Sequence, residues 1–236
     1  MRTHSMDRVT TLTFDVFGTI FDLAGSLIPY ISEFLKAKND PVEPTELWAQ
    51  YRARQRIEQY QDNLLLMGHS GYLETCRRAF TYCLRVNEID YTKEEIDDFM
   101  EAWQKLNPFE DAVEGLNRLS GAYRLVALSN GERSFLNHLI ENRIQTSFDD
   151  VISVEEAGAF KPHPSVYRTA ARILESEPGE IMMVAAHSFD IMGARACGYR
   201  GAFVNRYKLP FEETPYQPDL TVSDFIQLAT HLIRII

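Results

Sequence analysis

Cysteine is scarce: the 236-residue chain holds only Cys76, Cys83 and Cys197, an odd number without CxxC spacing. That excludes a disulfide framework and a cysteine-based zinc site, and fits a reducing, cytoplasmic setting. No apolar run reaches the roughly 18 residues that a membrane-spanning helix requires. Met1–Arg8 is polar and mixed in charge, without the apolar stretch of a signal peptide. A soluble, unexported protein is expected. Runs of Lys or Arg are also missing, and 34 acidic against 24 basic residues give a formal net charge of -10. Nucleic acids and anionic membranes are therefore poor partners, because both require clustered positive charge. His69, His138, His163 and His231 form no ligand-spaced cluster, so no metal role is implied for them. Internal repeats and low-complexity segments are absent. What is present is a 45% hydrophobic composition, enough for one large domain or a domain carrying an insertion.

The stretch Thr11–Asp22, T-L-T-F-D-V-F-G-T-I-F-D, organises the chain. Its β-prone start (Leu12, Phe14) leads into Asp15, and Gly18-Thr19 then breaks the strand. A carboxylate is thus set at a strand's C-terminal edge, where open α/β sheets put their chemistry. After Asp22 the pattern is helical for about 85 residues, too long for an ordinary crossover. Thr45–Gln61, Ser70–Asn87 and Thr92–Leu106 are the helical candidates there. Thr92 and Glu95 have capping-box spacing, and Ile96, Phe99, Met100, Trp103 and Leu106 make one apolar stripe. Residues 22–107 read as a helical cap domain inserted into a core formed by 1–21 and 108–236.

From Asn107 onward, helical and strand-like segments alternate, the sequence form of a parallel sheet with crossover helices. Glu110–Ser120 feeds Arg124–Ser129, Glu132–Asn142 feeds Val151–Ser153, Pro164–Leu174 feeds Ile181–Ala185, and Phe189–Cys197 feeds Ala202–Asn205. With Leu12–Asp15 that makes five strands. Ser223–Ile235 closes the chain as an amphipathic helix. The expected fold class is α/β: a doubly wound, Rossmann-like, five-stranded parallel core sheet with an inserted helical cap.

Three further strand ends present polar groups where the first presents Asp15. They are Ser129-Asn130-Gly131, Lys161-Pro162, and the run from His187 to Asp190. Singly these read as a turn, a solvated lysine and a helix cap. Converging on one sheet edge, they supply a carboxylate, a hydroxyl, an amide, an ammonium and a second carboxylate, a set suited to nucleophilic catalysis by a carboxylate.

The runs F-D-V-F-G-T, L-S-N-G, F-K-P and D-I-M-G-A-R resemble motifs one to four of the haloacid dehalogenase superfamily. Phe17, Asn107-Pro108-Phe109 and K-P-H-P-S-V-Y resemble its L-2-haloacid, or (S)-2-haloacid, dehalogenase branch. The resemblance implies the strand order 5-4-1-2-3, counting strands along the chain. It implies a hydrolase in which Asp15 displaces halide from the α-carbon of a small 2-haloalkanoic acid, forming an aspartyl ester that water hydrolyses to a 2-hydroxy acid. Lys161 and Asp190 would orient and activate that water. Thr19 and Ser129 would hold the carboxylates and the substrate carboxyl, and Asn130 with a cap arginine would receive the halide. Arg54 is the expected arginine, because R-Q followed by Tyr60 matches the spacing around the family's halide-binding arginine; Arg52 and Arg56 lie close by. Tyr167 matches a family active-site tyrosine, and Phe17 and Phe189 complete the binding set. Family members often pair, so a homodimer is compatible with the resemblance, although no stretch marks a surface for it.

Two departures separate the chain from the superfamily's magnesium-dependent phosphatases. Their second aspartate, the leaving-group acid two positions after the nucleophile, is here Phe17, which cannot donate a proton. Their motif-four acidic ligand is here Ala186. No metal or other cofactor is expected. Motif four also departs from the dehalogenase S-S-N-aromatic-enriched-D, reading Ala185-Ala186-His187-Ser188-Phe189-Asp190. His187 there could supply a donor or a base near neutral pH. The same departure keeps open a sibling chemistry with another leaving group, such as ring opening of azetidine-2-carboxylate. A metal-dependent phosphatase and a non-catalytic binding protein are the remaining alternatives.

Overall fold

The computed structural model describes residues 8–66, 68–144 and 146–234. Seven of the eight residues in the Met1–Arg8 reading, and Ile235 of the expected last helix, lie outside the described residues. Strand β1 (Thr11–Phe14) is followed by the short β2 (Phe21–Asp22) and then by helices α1 (Leu23–Lys38), α2 (Pro44–Leu64), α3 (Tyr72–Val86) and α4 (Lys93–Glu101). The chain returns through β3 (Asn107–Pro108), which pairs antiparallel with β2. Outgoing and returning chain therefore form one ribbon at the base of the four helices.

Beyond it come α5 (Glu110–Leu119), β4 (Arg124–Ser129), α6 (Arg133–Leu139), β5 (Asp150–Ser153), α7 (Pro164–Leu174), β6 (Ile181–Ala185), α8 (Ser188–Ala196), β7 (Arg200–Val204), β8 (Leu220–Val222) and α9 (Phe225–Ile233). The sheet is parallel, in the order β5-β4-β1-β6-β7-β8, with helices on both faces. Five of its strands keep the expected order. The correction is a sixth, edge strand, β8: its three residues, Leu-Thr-Val, follow a proline-bearing loop and are too few to show a period. Central strands buried on both faces are continuously apolar, as residues 125–128 of β4 and 181–185 of β6 are here, whereas β1 alternates Leu12 and Phe14 with buried Thr11 and Thr13.

In the inserted helices the Thr92–Glu95 capping box forms in both directions. The expected helix over Thr92–Leu106 tightens into a 3-10 turn at Ala102–Lys105. Helix α1 carries Gly25 and Pro29, which read as breakers in the sequence, yet both sit in its first half with Asp22 as side-chain cap. Several contacts hold these helices to the sheet domain, among them the following. Asn63 donates to the Phe160 carbonyl and accepts from the Phe160 amide, both at 2.8 Å. His69 Nε2 lies 3.0 Å from the Asn130 carbonyl oxygen. Phe17 stacks between Tyr72 and Phe135, with ring centroids 4.2 and 5.5 Å away.

Candidate active site

Asp15 follows the last residue of β1, and its amide donates to the Val184 carbonyl at 3.0 Å, so the backbone is still held by the sheet where the side chain emerges. One carboxylate oxygen accepts from Thr19 Oγ1 at 2.6 Å and lies 3.0 Å from His187 Nδ1. The other lies 3.4 Å from Lys161 Nζ. Thr19 is fixed in turn by accepting from the Ala186 amide at 2.9 Å. Burial alone would raise the Asp15 pKa. The ammonium of Lys161, the imidazole of His187 and the Thr19 hydroxyl outweigh it and hold the carboxyl well below its ordinary range.

Lys161, 1% exposed, is shared: its ammonium donates to Asp190 Oδ2 at 2.8 Å and to the Leu128 carbonyl. Asp190 sits in the first turn of α8 and also accepts from the Tyr167 hydroxyl at 2.7 Å. Burial, reinforced by the charge of Asp15, pushes its carboxyl above the usual value against the pull of Lys161 and Tyr167. Two carboxylates of opposite tendency thus flank one ammonium: Asp15 is kept charged, and Asp190 accepts a proton more readily. Such a split assigns separate roles to two carboxyls.

The cleft in front of Asp15 is small, about 30 Å³, and is lined by Phe17, Asn130, His187 and Phe189 from the sheet domain and by Arg52, Gln55, Arg56, Gln59 and Tyr72 from the inserted helices. It adjoins a wider cavity of about 380 Å³, reached past Arg52, Arg56, His187 and Phe189 and bounded by Trp48, Phe203 and Tyr207. With Lys161 neutralising part of the carboxylate charge, two guanidiniums leave the cleft positive in a chain of net charge -10. It suits an anion.

Asp15, Thr19, Lys161, Asp190 and His187 come together as expected, and Phe17, Asn130 and Phe189 line the cleft. Arg54 does not join them. It binds Glu58 at 2.5 to 2.8 Å and lies over the Tyr82 ring, 4.0 Å from the centroid, while Arg52 and Arg56 line the cleft. The reason is helical register: residues 52, 55, 56 and 59 share one face of α2, and residue 54 points elsewhere. Ser129 Oγ turns inward and accepts from the Gly131 amide at 3.3 Å, and Tyr167 lies behind Asp190; neither lines the cleft. Gln55, Gln59 and Tyr72 were not anticipated. For the glutamines a signal existed, polar residues at three-and-four spacing with Arg52; for Tyr72, a single residue in the first turn of α3, there was none.

The position of a phosphatase acid is filled by Phe17, sealed in its aromatic stack, and Ala186 offers only a backbone amide, already donated to Thr19. Among the described residues no group of three or more His, Cys, Asp or Glu side chains is placed to hold a metal ion.

A doubly wound sheet with an aspartate beyond its first strand, a lysine and a second aspartate behind it, and a helical insertion over the site define a class, and the comparisons agree. Residues 9–198 match the family model of haloacid dehalogenase-like hydrolases, and the chain belongs to that family and is a hydrolase. It is 30% identical over 200 residues to an (S)-2-haloacid dehalogenase of Xanthobacter autotrophicus, covering 84% of this chain and 76% of that one. Haloacetate dehalogenase H-2 of a Moraxella species is 28% identical over 98% of this chain and 100% of its own. Among solved structures, the L-2-haloacid dehalogenase of Xanthobacter autotrophicus with chloropropionic acid covalently bound superposes with a TM-score of 0.81 at 25% identity, covering 96% of this chain and 98% of that one.

Proposed function

We propose that this hydrolase substitutes at the α-carbon of small (S)-2-haloalkanoic acids, releasing halide and a 2-hydroxy acid through an ester on Asp15. The observation that carries this reading is the charge pattern of the cleft: one carboxylate held ionised, facing two guanidiniums and three side-chain amides. A 2-haloacid has a carboxylate to bind and a leaving group that departs as an anion without protonation, which is what such a lining stabilises. The names of the similar proteins, and the covalently bound chloropropionic acid in one of them, support the same reaction class.

On this reading the residues take the following roles. Asp15 attacks the α-carbon from the sheet side while Thr19 and Lys161 orient its two oxygens. The departing halide meets Arg52 and Asn130. Arg56, whose guanidinium lies 5.5 Å from the centroid of the Phe189 ring at the junction of the two cavities, takes the substrate carboxylate, a task for which Ser129 is wrongly turned. Once the ester has formed, this reading gives the proton of the hydrolytic water to His187, which lines the cleft, or to Asp190, which lies behind Lys161.

The direct test is incubation with racemic 2-chloropropionate and, separately, azetidine-2-carboxylate, reading chloride and ring-opened amino acid. Chloride release is expected, and it persists after treatment with a chelator, since no acidic ligand stands at residues 17 or 186. Ring-opened product without chloride moves the leaving group to the sibling chemistry. Loss of turnover with chelator and recovery with magnesium restores the phosphatase.

The arginine assignment is checked in the same assay. Arg52→Ala should lose about 10² to 10³ in kcat/KM, the usual loss for a donor facing developing negative charge. Arg54→Ala should stay within a few-fold of the parent. The reverse pattern returns Arg54 to the site.

A further inference from the structure

We propose that the hydroxyl of Tyr72 is a hydrogen-bond donor to the departing group, and that it suits the site to a small, strongly hydrogen-bond-accepting leaving group, fluoride above the heavier halides. The proposal deepens the dehalogenase reading and rests on it.

Tyr72 opens α3, is 3% exposed, and has its ring fixed against Phe17 and edge-on to Trp103, centroids 4.2 and 5.7 Å away. Its oxygen is buried and, among the described residues, has no partner in full hydrogen-bonding geometry; the donors of Arg52 and Gln55 lie nearest to it and leave its own proton unused. Leaving a hydroxyl in that state is destabilising, and phenylalanine would make the same stack without the cost. Tyr51 and Trp103 also keep unpaired buried donors, but of these three side chains only Tyr72 lines the cleft that holds Asp15. The unpaired hydroxyl thus belongs to the wall that a bound substrate touches.

Direction narrows its role. In-line displacement at a saturated carbon sends the leaving group away from the nucleophile, and the nucleophile here belongs to the sheet domain. The inserted helices form the other wall, where Arg52 and Gln55 lie beside Tyr72. Burial raises the phenol pKa with Arg52 opposing, so the group stays protonated and offers its O–H without surrendering the proton. In the step itself a bond forms between an Asp15 oxygen and the α-carbon, and the carbon–fluorine bond breaks. Fluoride departs with the electron pair, accepting hydrogen bonds from Tyr72 and Arg52. Fluoride is the hardest and most strongly accepting of the halides, so it gains most from an added O–H donor; bromide is larger and softer and gains least.

The test compares fluoroacetate, chloroacetate and bromoacetate in wild type and Tyr72→Phe, reading each halide in a single turnover so that the common ester hydrolysis does not mask the first step. Wild type should release fluoride. In Tyr72→Phe, kcat/KM for fluoroacetate should fall about 10²-fold. The loss on bromoacetate should be at least tenfold smaller, so that the fluoride-to-bromide ratio collapses. Thermal unfolding serves as the folding control, and removal of an unpaired buried hydroxyl should leave Tm unchanged or raised. Equal losses on all three substrates would mean that Tyr72 only packs against Phe17, which overturns the proposal. So would wild-type release of bromide and chloride without fluoride, a result that needs no variant. If wild type releases no halide from any of them, the dehalogenase reading itself fails, and this inference with it.

Discussion

Asp15→Asn abolishes turnover, with an expected loss of at least about 10⁴-fold, because removing a nucleophile takes away the whole covalent route rather than one stabilising contact. The amide keeps the shape of the carboxylate and its contact with Thr19, so the fold should survive and circular dichroism should not change. The decisive measurement is a single turnover in ¹⁸O-labelled water. By the ester route the first product carries an unlabelled oxygen from Asp15, and the label appears on Asp15 itself, where mass spectrometry of the peptide containing β1 finds it. Solvent oxygen in the first product would mean direct attack by water. The carboxylate that Lys161 and His187 hold ionised would then be a base.

Lys161→Met is the second large effect, because that ammonium lies within hydrogen-bond reach of two buried carboxylates. Its removal leaves Asp15 with only Thr19 and His187 and Asp190 with only the Tyr167 hydroxyl, so two buried carboxyls lose their shared cation and stability near neutral pH should fall by about 3–5 kcal/mol. The pH dependence follows from the signs. In the wild type the Asp15 pKa is lowered by folding, so its contribution to stability is present above the ordinary carboxylate range and is lost only as pH falls through the depressed value. The Asp190 pKa is raised, so its contribution is present below the ordinary value and is lost as pH rises through the folded one. Without Lys161 both carboxyls titrate higher. The variant's deficit in urea unfolding should therefore shrink between pH 7.5 and 4.5, and the acid limb of kcat/KM should move up. A deficit independent of pH would place the effect of Lys161 in packing alone.

Much of this site could be read from the chain because its parts stand at the ends of buried parallel strands. Such strands are short apolar runs that stop abruptly, so Asp15, Ser129 and the residues from Ala186 to Asp190 could be put on one edge without coordinates. Helix α7 was bounded as observed because Pro164 marks its start and the apolar period ends at Leu174. What could not be read was rotation about a local axis. Ser129 and Tyr167 are at the site in sequence order but behind it in space, since motif position says nothing about which way a side chain turns. For α2 the information was present: Arg54 and Glu58 stand four apart, the mark of a helix-surface pair, whereas Arg52, Gln55, Arg56 and Gln59 fall on one stripe. Motif spacing to Tyr60 favoured Arg54, and helical register favoured Arg52 and Arg56.

The stacked ring of Phe17 bears on what a change at that position would cost. A β-carbon on Gly131 would come within 2.8 Å of that ring, so the turn beyond β4 has narrowed to fit it, and Tyr72 closes on its other side. A single step to aspartate at position 17, the change that would bring back a phosphatase acid, would leave a hole in this stack and bury a charge between two aromatic faces. The same ring joins Tyr72 of the inserted helices to Phe135 of the sheet side, so residue 17 acts as a keystone: exchanging it alone would loosen the joint between the two walls of the cleft as well as alter the chemistry at its floor.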